Sequence, residues 1–428
     1  METFIQYINY FITLLFVICY AYQFIYIPIA WFKKPVKFRK AEQTKRYAFI
    51  LSARNEEAVI GNLIASIKDQ TYPAELIDIF VCADNCTDNT ALVARNAGAT
   101  VFERFNKQRV GKGYALEYLF EKISKICDDD YYDGYFIFDA DNLLDKRYVA
   151  EMNKAFCAGH RIITSYRNSK NFGTNWISAG YALWFLRDAT YLNNVRMILG
   201  TSCCATGTGF LVSSEVIREN GGWKFFLLTE DIEFSLHQVL KNEKLAYCHS
   251  AKFYDEQPTR FTDSWKQRSR WAKGYLQVFK KYRKPLVKGF FGTNAFSCFD
   301  MTMTIMPALI LSSLAVIINV IMLIVSLATQ NGFMAVVWSC LEAVRNSAIL
   351  LFFVGFFTVI SEWKEIRCEG WKKILYMFTF PLFMATYVPI AMTAMVRKVK
   401  WDPIKHDDSA SIDDMNKRKR KKALKKTK

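Results

Sequence analysis

Tyr135-Phe136-Ile137-Phe138 is an unbroken apolar run, and Asp139-Ala140-Asp141-Asn142 follows it at once. The run has the length and residue types of a buried strand. Its end delivers two carboxylates one residue apart. Such a pair can hold one hard cation against diphosphate oxygens, and Mg2+ and Mn2+ suit oxygen sites of this kind. Taken alone, an Asp-x-Asp is common and mostly innocent, so its weight depends on what surrounds it. Residues 47–52 and 77–83 form two more runs of strand type, and residues 57–68 and 90–97 between them have helical periodicity. Strands alternating with helices predict an α/β fold with a mostly parallel sheet covered on both faces. In such sheets ligands bind beyond the carboxyl ends of the strands.

Polar motifs fall at those ends. Ser52-Ala53-Arg54-Asn55-Glu56-Glu57 closes the first strand and offers Ser52 and Glu56 to a ligand, although Asn-Glu at such a turn also reads as a plain cap. Asp84, directly after the second strand, can accept a hydrogen bond from a base or ribose, whereas Asp88 reads as a helix cap. Gly111-Lys112-Gly113 lets a backbone approach closely and sets Lys112 as a point charge for a diphosphate. No Ser or Thr follows that lysine, so it is not a Walker loop. Gly207-Thr208-Gly209 precedes an apolar run and supplies Thr208 and Gly209 as acceptor-side candidates. In Leu228-Thr229-Glu230-Asp231 a carboxylate at a helix start could serve as general base, and an acidic first turn is the plainer alternative. Gln267-Arg268-Ser269-Arg270-Trp271 places its two arginines on different faces of a helix, with Trp271 a flat apolar surface for a sugar.

Composition places this domain at a membrane. Of 428 residues 52% are apolar, yet the net charge is +17, which fits spans flanked by basic residues. Residues 4–32, 301–327, 334–360 and 374–396 each exceed the roughly 20 apolar residues a bilayer crossing needs. Lys33, Lys34, Lys37, Arg39 and Lys40 follow the first, so residue 33 onward is expected on the cytoplasmic side. The expected order is an anchor (1–40), a catalytic domain (41–282), an interfacial helix (283–300), membrane helices (301–400) and a basic cytoplasmic tail (401–428). Glu342 and Arg345 inside one span read as a helix-surface ion pair or as the lining of a polar path. Four spans would leave the tail outside, against its nine basic residues between 417 and 428. Pro381 and Pro389 therefore predict a broken or re-entrant last segment. The tail's charge suits anionic headgroups, and a nucleic-acid reading rests on net charge alone. The eleven cysteines show no metal-binding spacing and are expected free.

In order and spacing the motifs resemble the processive, membrane-integrated family-2 glycosyltransferases: cellulose, hyaluronan, chitin-oligosaccharide and poly-N-acetylglucosamine synthases. Gln267-Arg268-Ser269-Arg270-Trp271 fits that family's Q-[QR]-x-R-W, Thr229-Glu230-Asp231 its T-E-D, and Asp139-Ala140-Asp141 its D-x-D. The resemblance implies a GT-A, Rossmann-like cytoplasmic domain fused to transmembrane helices, a UDP-sugar donor, and Mg2+ or Mn2+ as cofactor. It implies that Ser52, Glu56 and Asp84 hold the nucleotide, with Lys112 near the diphosphate. Asp139 and Asp141 would bracket phosphates and metal, and Asp231, beside Glu230, would deprotonate the acceptor. Gln267, Arg268 and Arg270 would steady the diphosphate, and Trp271, Thr208 and Gly209 would face the acceptor.

The expected activity is inverting transfer of a hexose or N-acetylhexosamine to a growing β-linked polysaccharide, coupled to export. With so few spans, export would call for self-association or an accessory subunit. Thr229-Glu230-Asp231 in place of the hyaluronan-type G-D-D-R favours cellulose-, β-glucan- or poly-N-acetylglucosamine-type chemistry. A glycolipid acceptor taking one sugar is the alternative, and an inactive scaffold or transporter subunit the second. The scarcity of histidine and the abundance of lysine, isoleucine and phenylalanine point to a bacterial source with an AT-rich genome, and the expected location is the plasma membrane.

Overall fold

A computed structural model describes residues 2–404, 406, 408, 410 and 412. The basic run 417–428 lies outside the described residues. In chain order the elements are α1 (Glu2–Phe32), β1 (Tyr47–Ala53), α2 (Ile60–Lys68), β2 (Ile77–Asp84), α3 (Thr90–Asn96), β3 (Thr100–Arg104), α4 (Lys112–Ile123) and β4 (Gly134–Asp139). Next come β5 (Leu143–Leu144), α5 (Tyr148–Cys157), β6 (Ile162–Ser169), α6 (Trp176–Arg187), α7 (Asn194–Leu199), β7 (Phe210–Ser213), α8 (Ser214–Glu219), α9 (Glu230–Leu240) and β8 (Leu245–Asp255). Then follow α10 (Phe261–Gly289), α11 (Ala295–Ile305), α12 (Pro307–Thr329), α13 (Phe333–Ser361), α14 (Gly370–Ala385) and α15 (Tyr387–Val396). A π-helical stretch, Asp188–Asn193, joins α6 to α7.

The sheet is mixed, in the order β3-β2-β1-β4-β7-β6-β8-β5. Its first four strands are parallel, while β7 runs antiparallel to both β4 and β6. Alternation along β1 explains the two buried faces. Phe49 and Leu51 pack into one core, and Ala48 and Ile50 into the other. The Phe49 ring lies 4.7 Å from Phe136 and 5.7 Å from Phe138, so the opening stretch is central to one core. Burying each such ring is worth about 1.5–3 kcal/mol. The register Ser52↔Asp139 and Ser52↔Cys82 brings the strand ends to one level, and the polar motifs follow there. All eleven cysteines are free.

Four helical segments are long and apolar enough to cross a membrane: Thr3–Phe32, Ile310–Thr329, Phe333–Ser361 and Gly370–Val396. Two boundaries differ from the sequence reading. Helix α10 runs unbroken through residue 283, and the stretch from 301 is divided, with α11 ending at Ile305 before α12 begins. Glu342 and Arg345 form an exposed i,i+3 pair at 3.9 Å.

The last apolar segment is interrupted only at Thr386, whose backbone stays helical, and Pro381 lies inside α14 without breaking it. The Pro389 ring crowds the carbonyl four residues earlier, at Ala385, and α14 ends there. Both ends of this segment rest on the sheet domain. Lys372 Nζ donates to Gly173 O at 3.0 Å, and Lys273 Nζ of α10 donates to Ala394 O at 3.0 Å.

Candidate donor and catalytic site

One mouth at the strand ends gathers Ser52, Glu56, Asp84, Lys112, Asp139, Asp141, Glu230, Asp231, Gln267, Arg270 and Trp271. Its centre is Lys112, the first residue of α4. The Lys112 ammonium donates to Asp139 Oδ1 at 2.5 Å and to Gly207 O at 2.7 Å, and lies 4.0 Å from Glu230 Oε1. Burial alone would lower its pKa, but Asp139, Glu230 and Asp231 outweigh that and hold it above the ordinary lysine value. Gly113 lets α4 sit this close, because a Cβ there would lie 2.1 Å from the backbone oxygen of Phe225.

The two strand-end aspartates are held differently. The Asp139 N–H donates to Thr208 Oγ1 at 2.9 Å, while its carboxylate faces the mouth toward Lys112. Asp141 is buried and accepts from Asn142 Nδ2 at 3.2 Å and from the Glu256 N–H at 3.1 Å. Asp84 is committed to Arg104 at 2.5 Å.

Glu230 and Asp231 open α9 and are both buried. Burial raises both carboxyls. For Glu230 the neighbouring Asp231 adds to the rise, whereas the N–H groups of Ile232, Asp231 and Gly207 pull Asp231 back toward ionisation. Both carboxyls are thus held above the ordinary range, with the backbone N–H groups offsetting more of the rise at Asp231. A glutamate raised in the fold stabilises it below the ordinary glutamate pKa, and that contribution is lost as pH rises through the raised value. Glu230→Gln is therefore expected to lessen the fall in Tm between about pH 5 and about pH 9. An unchanged pH slope would show that Glu230 is not the group responsible.

Helix α10 supplies the far wall. A Cβ on Gly274 would meet the Thr229 side chain at 2.5 Å, so this glycine seats α10 directly on the Thr229-Glu230-Asp231 turn. Trp271 packs edge-on against Tyr181 and Phe185 at 5.5 and 5.9 Å.

Three residues expected in the site lie elsewhere. Arg268 turns away from the mouth, as two residues on a helix dictate. Its guanidinium lies 4.4 Å from the Phe383 ring and donates to Phe383 O at 3.0 Å, which tethers α14. Thr208 is buried behind Asp139 and bonded to Asn142 at 2.5 Å. The Gly209 carbonyl accepts from Tyr148 and Ser165 inside the core. Neither reaches the mouth.

The mouth also holds residues that the sequence reading passed over. Arg167 donates through Nε to Asp255 at 2.5 Å, and burial pushes Asp255 up to about 6 although Arg167 pulls it down. More consequential is the segment after α15, read above as the start of a tail. Trp401, Asp402, Pro403, Ile404 and His406 cross the mouth as a strap. Trp401 lies 5.3 Å from the Arg54 guanidinium and 5.9 Å from that of Arg270. His406 Nδ1 meets Glu56 at 2.9 Å, and its Nε2 is 4.0 Å from Asp141. Burial would lower His406, but Asp141 and Glu56 reverse the effect and raise it to about 10, so it is a cation at neutral pH. Burial pushes Glu56 up to about 7 despite that partner. Farther out, Lys170 donates to Asp408 O at 3.2 Å, and Ile412 packs with Leu143 and Tyr254. The signal available in the sequence was Trp401 and Ile404, apolar residues ahead of a charged run, with one of only four histidines, His406, two positions beyond Ile404.

A sheet of this order, with its polar mouth at the parallel strand ends, is of the glycosyltransferase GT-A type. A mannosyltransferase from Pyrobaculum calidifontis, solved in complex with GDP-Man and Mn2+, superposes with a TM-score of 0.54. The alignment covers 91% of this chain and 99% of that one, at 15% identity, so the likeness is one of fold. The family described as "Glycosyltransferase like family 2" matches residues 45–274, and the chain belongs to that family. It is 25% identical over 248 residues to a beta-monoglucosyldiacylglycerol synthase from Synechocystis, covering 54% of this chain and 48% of the relative. It is 22% identical over 249 residues to a poly-beta-1,6-N-acetyl-D-glucosamine synthase from Staphylococcus epidermidis, 58% of each. The chain thus spans about half the length of the curated relatives it matches.

Proposed function

We propose that this chain transfers a hexose or N-acetylhexosamine from a UDP-sugar to the end of a growing β-linked polysaccharide, with inversion, at the cytoplasmic membrane face. The observation that carries the reading is the common mouth, in which Asp231 faces the space bounded by Lys112, Asp139, Gln267, Arg270 and Trp271. In this reading the nucleotide lies along Ser52, Glu56 and Asp84, and the diphosphate meets Lys112 and Arg270. Asp231 takes the proton of the acceptor hydroxyl, and Trp271 supports the acceptor sugar. Fixing both reactants against one sheet edge supplies a large share of the rate.

A divalent cation fits the donor set. Nine Asp or Glu side chains line the mouth against four Lys or Arg side chains and His406, an excess of acids over bases. Asp139 and Asp141 would hold Mg2+ or Mn2+, which when bound offsets charge on the leaving diphosphate. Both ends of the last apolar segment rest on the catalytic domain, which supports its lying along the membrane face rather than crossing it.

A second reading, addition of one sugar to a lipid acceptor, draws support from the same segment, which brings apolar surface close to the catalytic domain. Detergent-purified protein with Mg2+ or Mn2+, screened for UDP release and label incorporation across UDP-sugars, separates the two. A product ladder supports the polymer, a single addition the glycolipid. Absence of turnover by folded protein with every donor would overturn both.

A further inference from the structure

A second cavity, more open than the donor mouth and about half its size at ≈ 680 against ≈ 1390 Å³, lies between α10 and the end of α15. Lys266, Arg270, Arg397, Lys398 and Lys400 line it, with Asp402 as the single carboxylate. The plain explanation for cations after a helix, capping of its last carbonyls, is already taken. Lys273 donates to the carbonyls of Ala394 and Met395 at 3.0 and 3.4 Å. Lys266, Arg397, Lys398 and Lys400 have no ion-pair partner among the described residues.

Two apolar features flank this charge. Val396, next to Arg397, is 84% exposed at the end of the last apolar segment. Trp265 lines the cavity, and its ring lies 5.9 Å from Phe261, which in turn stacks on Trp176. Aromatic rings grouped beside basic residues at the end of an apolar helix mark the depth of the headgroups. A free anion has no use for the exposed valine or the aromatic wall, whereas an amphiphile matches both.

We propose that this cavity binds the phosphate group of an anionic membrane lipid, whose chains run along the apolar surface ending at Val396. The site is distinct from the donor mouth but shares a wall with it, since Arg270 and Asp402 line both. A seated headgroup therefore holds the root of the strap, residues 399–402.

The test is binding of fluorescent short-chain phosphatidylglycerol to the detergent-purified full chain. Replacing Arg397, Lys398 and Lys400 together with Gln is expected to weaken binding about 100-fold, since three basic residues leave an anionic surface. Replacing Lys33, Lys34 and Lys37 with Gln removes equal charge at another membrane-flanking site and is expected to change binding by less than about threefold. Lys266→Gln, on a different element, should weaken binding alone and guards against misfolding of the triple variant. Equal losses in the two triple variants would overturn the site. Displacement of the lipid by inorganic phosphate at matching concentration would show a free-anion site instead and would overturn the lipid assignment.

Discussion

Asp231→Asn is expected to lower sugar transfer by about 10²–10⁴-fold while leaving donor affinity within about twofold. Asparagine keeps the size of the side chain and can still accept from the N–H groups of Ile232 and Gly207 that orient Asp231. What it loses is the capacity to take a proton at the moment the acceptor oxygen attacks. The check is twofold: a UDP titration for affinity and radiolabel incorporation for transfer. Near-normal transfer would remove Asp231 from the mechanism, and loss of UDP binding would make it a structural residue.

Lys112→Met is expected to damage stability and donor binding together. The ammonium is the cation that Asp139, Glu230 and Asp231 share, and its side chain is only 10% exposed. Removing one partner of a buried pair leaves charge uncompensated. The cost here is about 2 kcal/mol, below the usual range because Asp139 keeps solvent at 39% exposure. Glu230 and Asp231, both raised already, would then rise further, so the folded variant would bind protons that its unfolded chain does not. Its deficit relative to wild type should narrow toward about pH 5 and widen toward about pH 9. Thermal unfolding across pH measures the first effect, and KM for the donor the second. A variant with unchanged Tm and unchanged KM would refute the central place given to Lys112.

Much of this was legible in the sequence, for a physical reason. Where apolar strands end in polar residues, period and position alone bring Ser52, Asp84 and Asp139 to one edge, because parallel strands share a direction. Side-chain direction on a helix is equally local, and the two-residue spacing of Arg268 and Arg270 already separated their faces. Thr208 and Gly209 misled because a Gly-Thr-Gly turn looks accessible, whereas the packing of Tyr148, Ser165 and Asn142 buries it. The strap was hidden for a different reason. Its partners are Glu56 and Arg54, and nothing in a run such as Trp401-Asp402-Pro403-Ile404 names a partner 350 positions away.

That separation bears on how the enzyme comes into being. The mouth starts with residues made early, at Ser52, and is finished by residues made after all four long apolar helices. A ribosome that has delivered only the sheet domain has made an open cleft, lacking Trp401 and His406. A fragment cut near residue 282 has the same gap for good. Synthesis order thereby sets when the mouth is finished: only after all four long apolar helices have been made.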